Sequence, residues 1–310
     1  MLSGPAVSRR YPEGTRVSEP ITADRFEAAA RDLRPALKRH CYRMTASAQE
    51  AEDCVQEAYL RAWRQLGEVR DAAALKPWLY SIATRVCLDF LRGRKRRSAV
   101  HDELKSGGPN WVEPMVDGQD EIERRETIRL AFVSMLQTLS PRARAALILH
   151  EVLEWTAAEV AGGLAMSLPA ARSLIQRARA KMERPKPVDP IPVQSDVLAR
   201  YMAAWEARDM EAFSGLLSRD AVYVMPPQHQ MFEGRAAILA FFAYAWPFHT
   251  AMRLVPLSLN GQAGGALYVE GADGWQPHSV HVLDVVDGRI ARLTLYTPPL
   301  GPELFARFGL

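Results

Sequence analysis

Apolar residues recur every three or four positions through the first part of this chain and every second position near its end, so the pattern predicts helices first and strands afterwards. Residues 1–21 follow neither period and are read as a disordered N-terminal arm. Residues 22–97 read as all-helical. "RFEAAARDLRPALKRHCYRM" predicts one or two helices, interrupted near Pro35. In "SAQEAEDCVQEAYLRAWRQL", Ser47 and Glu50 have the spacing of a capping box. The apolar stripe there runs Ala51, Val55, Ala58, Ala62 and Leu66, and Gly67 stops it. In "KPWLYSIATRVCLDFLRGRKRR", Pro77 opens the next helix from its first turn, and Leu79, Ile82, Val86 and Phe90 form the buried face.

Residues 98–122, rich in Gly, Pro and polar residues, predict a linker. A second helical region spans 123–184 and contains the outline of a helix-turn-helix, "LEWTAAEVAGGLAMSLPAARSLIQRARAKM". Thr156 and Glu159 form a capping box, Ala165-Met166 makes the turn, Ser167 caps the second helix and Pro169 lies in its first turn. The two glycines Gly162 and Gly163 weaken the first of these helices by about 1 kcal/mol each. Residues 185–194 form a Pro-rich linker. From 195 to 310 a helix leads into short apolar runs broken by turns, with Asn260-Gly261 and Asp287-Gly288 as hairpin signals. The fold class is therefore multi-domain: two all-α modules followed by an α+β domain with a helix on a curved antiparallel sheet.

Composition narrows the chemistry. The 310 residues suffice for two or three domains, and 48% of them are hydrophobic, enough for separate cores. No run reaches the length of a membrane helix, and the first twenty residues lack a signal peptide's apolar stretch, so a cytoplasmic location with no membrane contact is expected. Cys41, Cys54 and Cys87 contain no C-x-x-C pair and read as small apolar core residues, so neither metal nor cofactor is expected. The net charge of +3 hides an asymmetry: residues 1–186 hold 31 Lys/Arg against 24 Asp/Glu, and the remainder is acidic. A basic front points to nucleic acid.

Two basic faces carry that reading. Trp78, Ser81, Arg85, Arg92 and Arg96 share one stripe about 100° from the Leu79/Val86/Phe90 face, and the stretch ends in the run Arg92–Arg97, with Arg94 and Lys95 among its five positive charges. Arginines neutralise phosphate and an aromatic stacks on an unpaired base; the alternative is a solvated basic face with Trp78 half-buried. In the helix-turn-helix, Leu168, Ala171, Ile175, Ala178 and Met182 form an apolar side, while Arg172, Gln176 and Arg179, flanked by Ser173 and Arg177, occupy another. Arg and Gln there suit base edges in a major groove; the alternative is a helix of a small bundle.

These stretches, with "AEDCVQEAYLRAW" and "LSPRARAALILHEVLEWTAAEVA", resemble in order and spacing the bacterial alternative sigma factors of the extracytoplasmic-function type. The resemblance implies that Asp53, Gln56 and Glu57 grip core RNA polymerase. It implies that the 67–75 loop and the basic helix (Trp78, Arg85, Arg92, Arg94, Lys95, Arg96) open and read the −10 element of promoter DNA. It gives Arg172, Ser173, Gln176, Arg177 and Arg179 to the −35 element. "WEARDMEAFSGLLSRDAVYVMPP", "FEGRAAILAFF", "LNGQAGGALYV" and "VVDGRIARLTLY" resemble the SnoaL-like, polyketide-cyclase-type cone fold.

A cone of that type encloses a pocket, whose candidate lining is Tyr201, Trp205, Tyr223, Trp246 and Tyr296, with Asp284, His229, His278 and His281 as candidate acid–base groups. The strand pattern leaves open whether Ser279, His281, Leu283 and Val285, or Val280, Val282, Asp284 and Val286, face inward. The tail is read as modulating transcription by docking on the helical modules or by sensing a small molecule, not as an enzyme. The alternatives are a ligand-responsive DNA-binding regulator that ignores polymerase, and an isomerase or cyclase with a basic extension.

Overall fold

The computed structural model describes residues 22–66, 72–101, 112–115, 130–182, 196–228 and 230–310; Gly67 and His229 lie outside them, as do the side chains of 72–73, 95–101 and 130–131. Helix α1, Ala23–Thr45, runs straight through Pro35. The break expected there is overridden because Phe26 on one side and Leu37, Cys41, Tyr42 and Met44 on the other are buried in one core, which outweighs a single lost backbone bond. Helix α2, Ala48–Arg64, starts at Ser47, whose side chain accepts from the Glu50 amide. The reciprocal half of the expected capping box is missing, because the Glu50 carboxylate pairs with Arg94 at 2.9 Å instead.

Helix α3, Ala72–His101, begins before Pro77 rather than at it. Its extra turn is alanine-rich and anchored by buried Leu75. Its buried face takes in Tyr80, Ala83 and Cys87 as well as Leu79, Ile82 and Val86; Leu91 is buried, whereas Phe90 is only half-buried.

Within the stretch read as linker, residues 112–115 are built into the core. Val112 and Pro114 are buried, and Glu113 donates its amide to Ala46 O at 3.0 Å. Helices α4 (Leu130–Gln137) and α5 (Pro141–Leu147, continued by a wide turn, Ile148–Val152) then support α6 (Ala157–Gly163) and α7 (Leu168–Lys181). The Thr156–Glu159 capping box is complete, and Ala165 turns the chain with φ +50°. The buried cation Arg144 ties this module to the first: it donates to the carbonyls of Leu136, Gln137 and Leu139 and to Met44 O at the end of α1.

In the last domain, α8 (Asp196–Ala207), α9 (Met210–Leu216) and α10 (Arg235–Ala245) cover one face of a six-stranded sheet ordered β2-β1-β6-β5-β4-β3. The strands are β1 Leu217–Val224, β2 Met231–Glu233, β3 Met252–Leu259, β4 Gln262–Gly271, β5 Gly274–Val286 and β6 Arg289–Tyr296. The sheet is mixed rather than antiparallel throughout, because the last strand slots in beside β1 and runs parallel to it. Both predicted hairpin turns have positive φ at their two central residues, Asn260 and Gly261 at 54° and 68°, and Asp287 and Gly288 at 51° and 69°.

The inward face is settled: Leu283 and Val285 pack under the helices, while Val280 and Val282 share a core with α11 (Leu300–Phe308) and the helical modules. Among the described residues, no helix is long and apolar enough to cross a membrane.

Candidate nucleic-acid interface

Helix α7 divides as its sequence demands. Ala171, Ile175 and Ala178 are buried, and Arg172, Ser173, Gln176, Arg177 and Arg179 are all exposed. Arg177 donates to Ser173 O at 3.3 Å along its own helix, and Arg179 forms an ion pair with Glu151. The row is therefore pre-set, with two guanidiniums held by groups of the protein itself.

The face of α3 is different. Arg85 is exposed, yet its Nε donates to Gly163 O, at the end of α6, at 3.2 Å. Trp78 is half-buried against the helical core. Gly163 permits this approach: a Cβ there would lie 2.8 Å from Trp155 Cζ3 and 3.5 Å from Ser81 Oγ of α3. The glycine that looked like a helix weakness is a contact between modules. Further along, Arg92 is 70% exposed and pairs with Asp89 at 3.3 Å. Arg94 is held by Glu50, whose pKa burial raises against the opposing pull of Arg94 itself. The side chains of Lys95 and Arg96 lie outside the described residues. In this conformation the upper half of the α3 stripe faces α6, whereas the α7 stripe faces solvent.

On α2, Asp53 and Gln56 are exposed and Glu57 is half-exposed, bonded to Arg61 at 2.7 Å. Sequence reasoning missed their neighbours. Leu60 is 54% and Trp63 49% exposed, and with Phe26, Arg34, Gln56 and Tyr59 they line a groove of about 440 Å³. The signal was present: 53, 56, 60 and 63 repeat at helical spacing opposite 51, 55, 58 and 62.

Of the candidate pocket residues, Tyr201, Trp205, Tyr223 and Trp246 converge in the buried aromatic core of the last domain, with Phe213 and Phe242 between them. His281 lies among them, its Nδ1 2.9 Å from the Tyr201 hydroxyl and its Nε2 2.9 Å from Ser279 Oγ. Burial, then the neighbouring His278, holds the His281 pKa well below the usual histidine value. Tyr296 does not join them. Its side chain leaves the other face of the sheet and donates to Val112 O at 2.6 Å. Asp284 also lies off that core and accepts from Gln262, so this candidate base does not stand beside His281.

Tyr296 belongs instead to a joint between the first helical module, residues 112–115 and the last domain. The Asn260 amide donates to Met115 O at 2.9 Å, and Met115 N–H returns a bond to Asn260 Oδ1 at 2.7 Å. Asn260 Nδ2 donates to the Tyr42 hydroxyl at 3.2 Å, and that hydroxyl donates to Glu113 O at 2.5 Å. Arg307 of α11 pairs with Glu113 at 3.1 Å.

Comparison with known proteins gives the same three parts. Residues 29–97 match Sigma-70 region 2, residues 129–182 match Sigma-70 region 4, and residues 198–293 match a SnoaL-like domain. The chain is 37% identical over 312 aligned residues to the ECF RNA polymerase sigma factor SigG of Mycobacterium tuberculosis, covering 92% of this chain and 84% of that protein. It is 36% identical over 207 residues to SigJ of the same species, covering 64% and 62%. The crystal structure of SigJ superposes with a TM-score of 0.66 at 26% identity, over 90% of this chain and 98% of that one.

Proposed function

Since the chain belongs to the extracytoplasmic-function family of RNA polymerase sigma factors, we propose that it binds core RNA polymerase in the cytoplasm and directs initiation at promoters with two recognition elements. It is a transcription initiation factor, not an enzyme. Asp53, Gln56 and Glu57, extended by Leu60 and Trp63, form the polymerase face: acidic groups beside exposed apolar ones suit a basic, amphipathic partner helix. Arg172, Ser173, Gln176, Arg177 and Arg179 read duplex DNA. Trp78, Arg85, Arg92, Arg94, Lys95 and Arg96 take the melted strand.

The observation that carries this reading is the division of α7, five polar residues outward and three apolar ones inward, on a helix-turn-helix that follows a region-2 bundle. Because Arg85 commits its Nε donor to α6, its guanidinium is fully released to a DNA strand only when the helix-turn-helix leaves α3. The last domain, docked through Asn260 and Tyr296, biases that opening, so it modulates activity without chemistry of its own.

The test is run-off transcription with reconstituted holoenzyme, using the full chain and a chain ending at residue 184. Charge reversal at Asp53 and Glu57 should abolish co-purification with core polymerase and leave −35 duplex binding intact. Retention of polymerase binding by that variant would refute the assigned face. DNA binding with no polymerase association in the unaltered chain would favour a regulator of another class.

A further inference from the structure

In the row on α7, Arg177 is tied within its own helix, whereas Arg179 is tied to another element: its Nε donates to the Glu151 carboxylate, 28 residues earlier in the chain. Glu151 sits on the wide turn Ile148–Val152, where the Leu153 amide reaches back to Ile148 O at 3.2 Å. That turn is held from both sides. Ile148 and Leu149 are fully buried, His150 Nδ1 donates to Trp155 O at 2.6 Å, and the Trp155 amide donates to Leu149 O at 3.0 Å. Glu154 closes it with φ +57°, a left-handed conformation uncommon for a residue with a side chain. A widened helical turn and a left-handed closure both cost stability, and such departures gather at functional sites. Their product here is a carboxylate placed against the row of α7.

We propose that Glu151 is a positioning residue for −35 recognition: it fixes the direction of Arg179 and keeps that guanidinium from taking any phosphate within reach. The inference rests on the reading of α7 as the helix that meets duplex DNA. Stability does not explain the pair. The Glu151 and Arg179 side chains are 40% and 56% exposed, and an ion pair so open to water adds little to a fold. Its effect falls on the ligand instead. An arginine presents five N–H donors in a planar fork; with Nε held by Glu151, the edge carrying the two Nη groups has a set direction. That suits a pair of acceptors on one base edge. The carboxylate also repels phosphate and offsets part of the charge of Arg179. Non-specific duplex is held by phosphate contacts alone, so it is weakened more than a matched site.

Replacing this carboxylate by an amide should therefore strengthen one kind of binding and spoil another. In Glu151→Gln, Arg179 regains its freedom and its full charge. Affinity for random-sequence duplex should rise, while preference for the matched site falls. One further phosphate neutralised makes the slope of log K against log salt about 0.9 more negative. Discrimination should drop by roughly threefold to tenfold, part of what one oriented guanidinium contributes at a base edge. Glu151 is exposed, so the substitution disturbs no core.

The experiment selects a preferred duplex from a random library with the full wild-type chain. Binding of that duplex and of random-sequence duplex is then titrated over a range of potassium chloride concentrations. Glu151→Gln should show the steeper slope and the lower discrimination, and both changes should vanish when it is combined with Arg179→Ala. A turn merely loosened by the substitution would give the same changes with or without Arg179, and that result would overturn the proposal. So would a slope and discrimination equal to wild type in Glu151→Gln, or an Arg179→Ala variant that binds both duplexes as the wild type does. In those cases loss of preference in Arg172→Ala leaves the −35 reading standing. A wild-type chain from which no preferred duplex can be selected sinks that reading itself, and this inference with it.

Discussion

Replacing Asn260 by glycine isolates one side chain at the joint of the last domain with residues 112–115 and the first helical module. Asn260 sits at φ +54°, which glycine adopts without strain, so the hairpin is kept and its backbone bond to Met115 O survives. What is lost is the Oδ1 acceptor of the Met115 amide and the Nδ2 donor to Tyr42. Asn260 is 1% exposed, so water does not readily take over. An amide deprived of its buried acceptor costs about 1–3 kcal/mol and the second bond about 1 kcal/mol, for a total of about 2–4 kcal/mol. Asn260→Ala adds about 1–2 kcal/mol, because a Cβ opposes the left-handed conformation.

Native-state hydrogen exchange of the full chain reads this directly at Met115. Its amide should exchange roughly thirtyfold to nearly a thousandfold faster in Asn260→Gly, at about 1.36 kcal/mol per tenfold, and faster again in Asn260→Ala. Protection of Met115 within threefold of wild type in the glycine variant would refute the idea that this side chain holds the joint.

Three further outcomes are expected. Gly162→Ala should stabilise α6 by up to about 1 kcal/mol, since a Cβ there meets nothing within 4 Å; Gly163→Ala should lose that gain and cost about 1–3 kcal/mol through the clash with Trp155, both read by exchange of α6 amides, and equal signs would contradict the packing. Burial lowers the pKa of His40 to about 3 and that of His278 to about 4, so both stay neutral in the fold while the unfolded chain takes up protons near pH 6.5. Stability should therefore be full above about pH 6.5 and fall as pH drops toward 4, and a urea midpoint unchanged between pH 7.5 and 5 would refute this. Trp63→Ala should weaken association with core polymerase by about 2 kcal/mol, roughly thirtyfold in a titration, with little loss of fold, because half its surface is already in water; unaltered affinity removes it from the interface.

Periodicity and capping chemistry determined most of the local structure. The split of α7, the Thr156–Glu159 box and the two hairpin turns depend only on neighbours a few residues away, and each could be read from the sequence. The same holds for the polar faces of α2 and α7, because exposure on an amphipathic helix follows from the spacing of its apolar residues. Contacts distant in sequence were decided by the tertiary structure alone. Pro35 is tolerated because packing outweighs one backbone bond, and Glu50 leaves its capping role for Arg94, 44 residues away. Tyr296 looked like pocket lining because its strand alternates, yet alternation fixes two faces without saying which one meets the rest of the molecule. Only the docking of β6 and the Asn260 turn against residues 112–115 resolved that, and it turned part of an apparent linker into core.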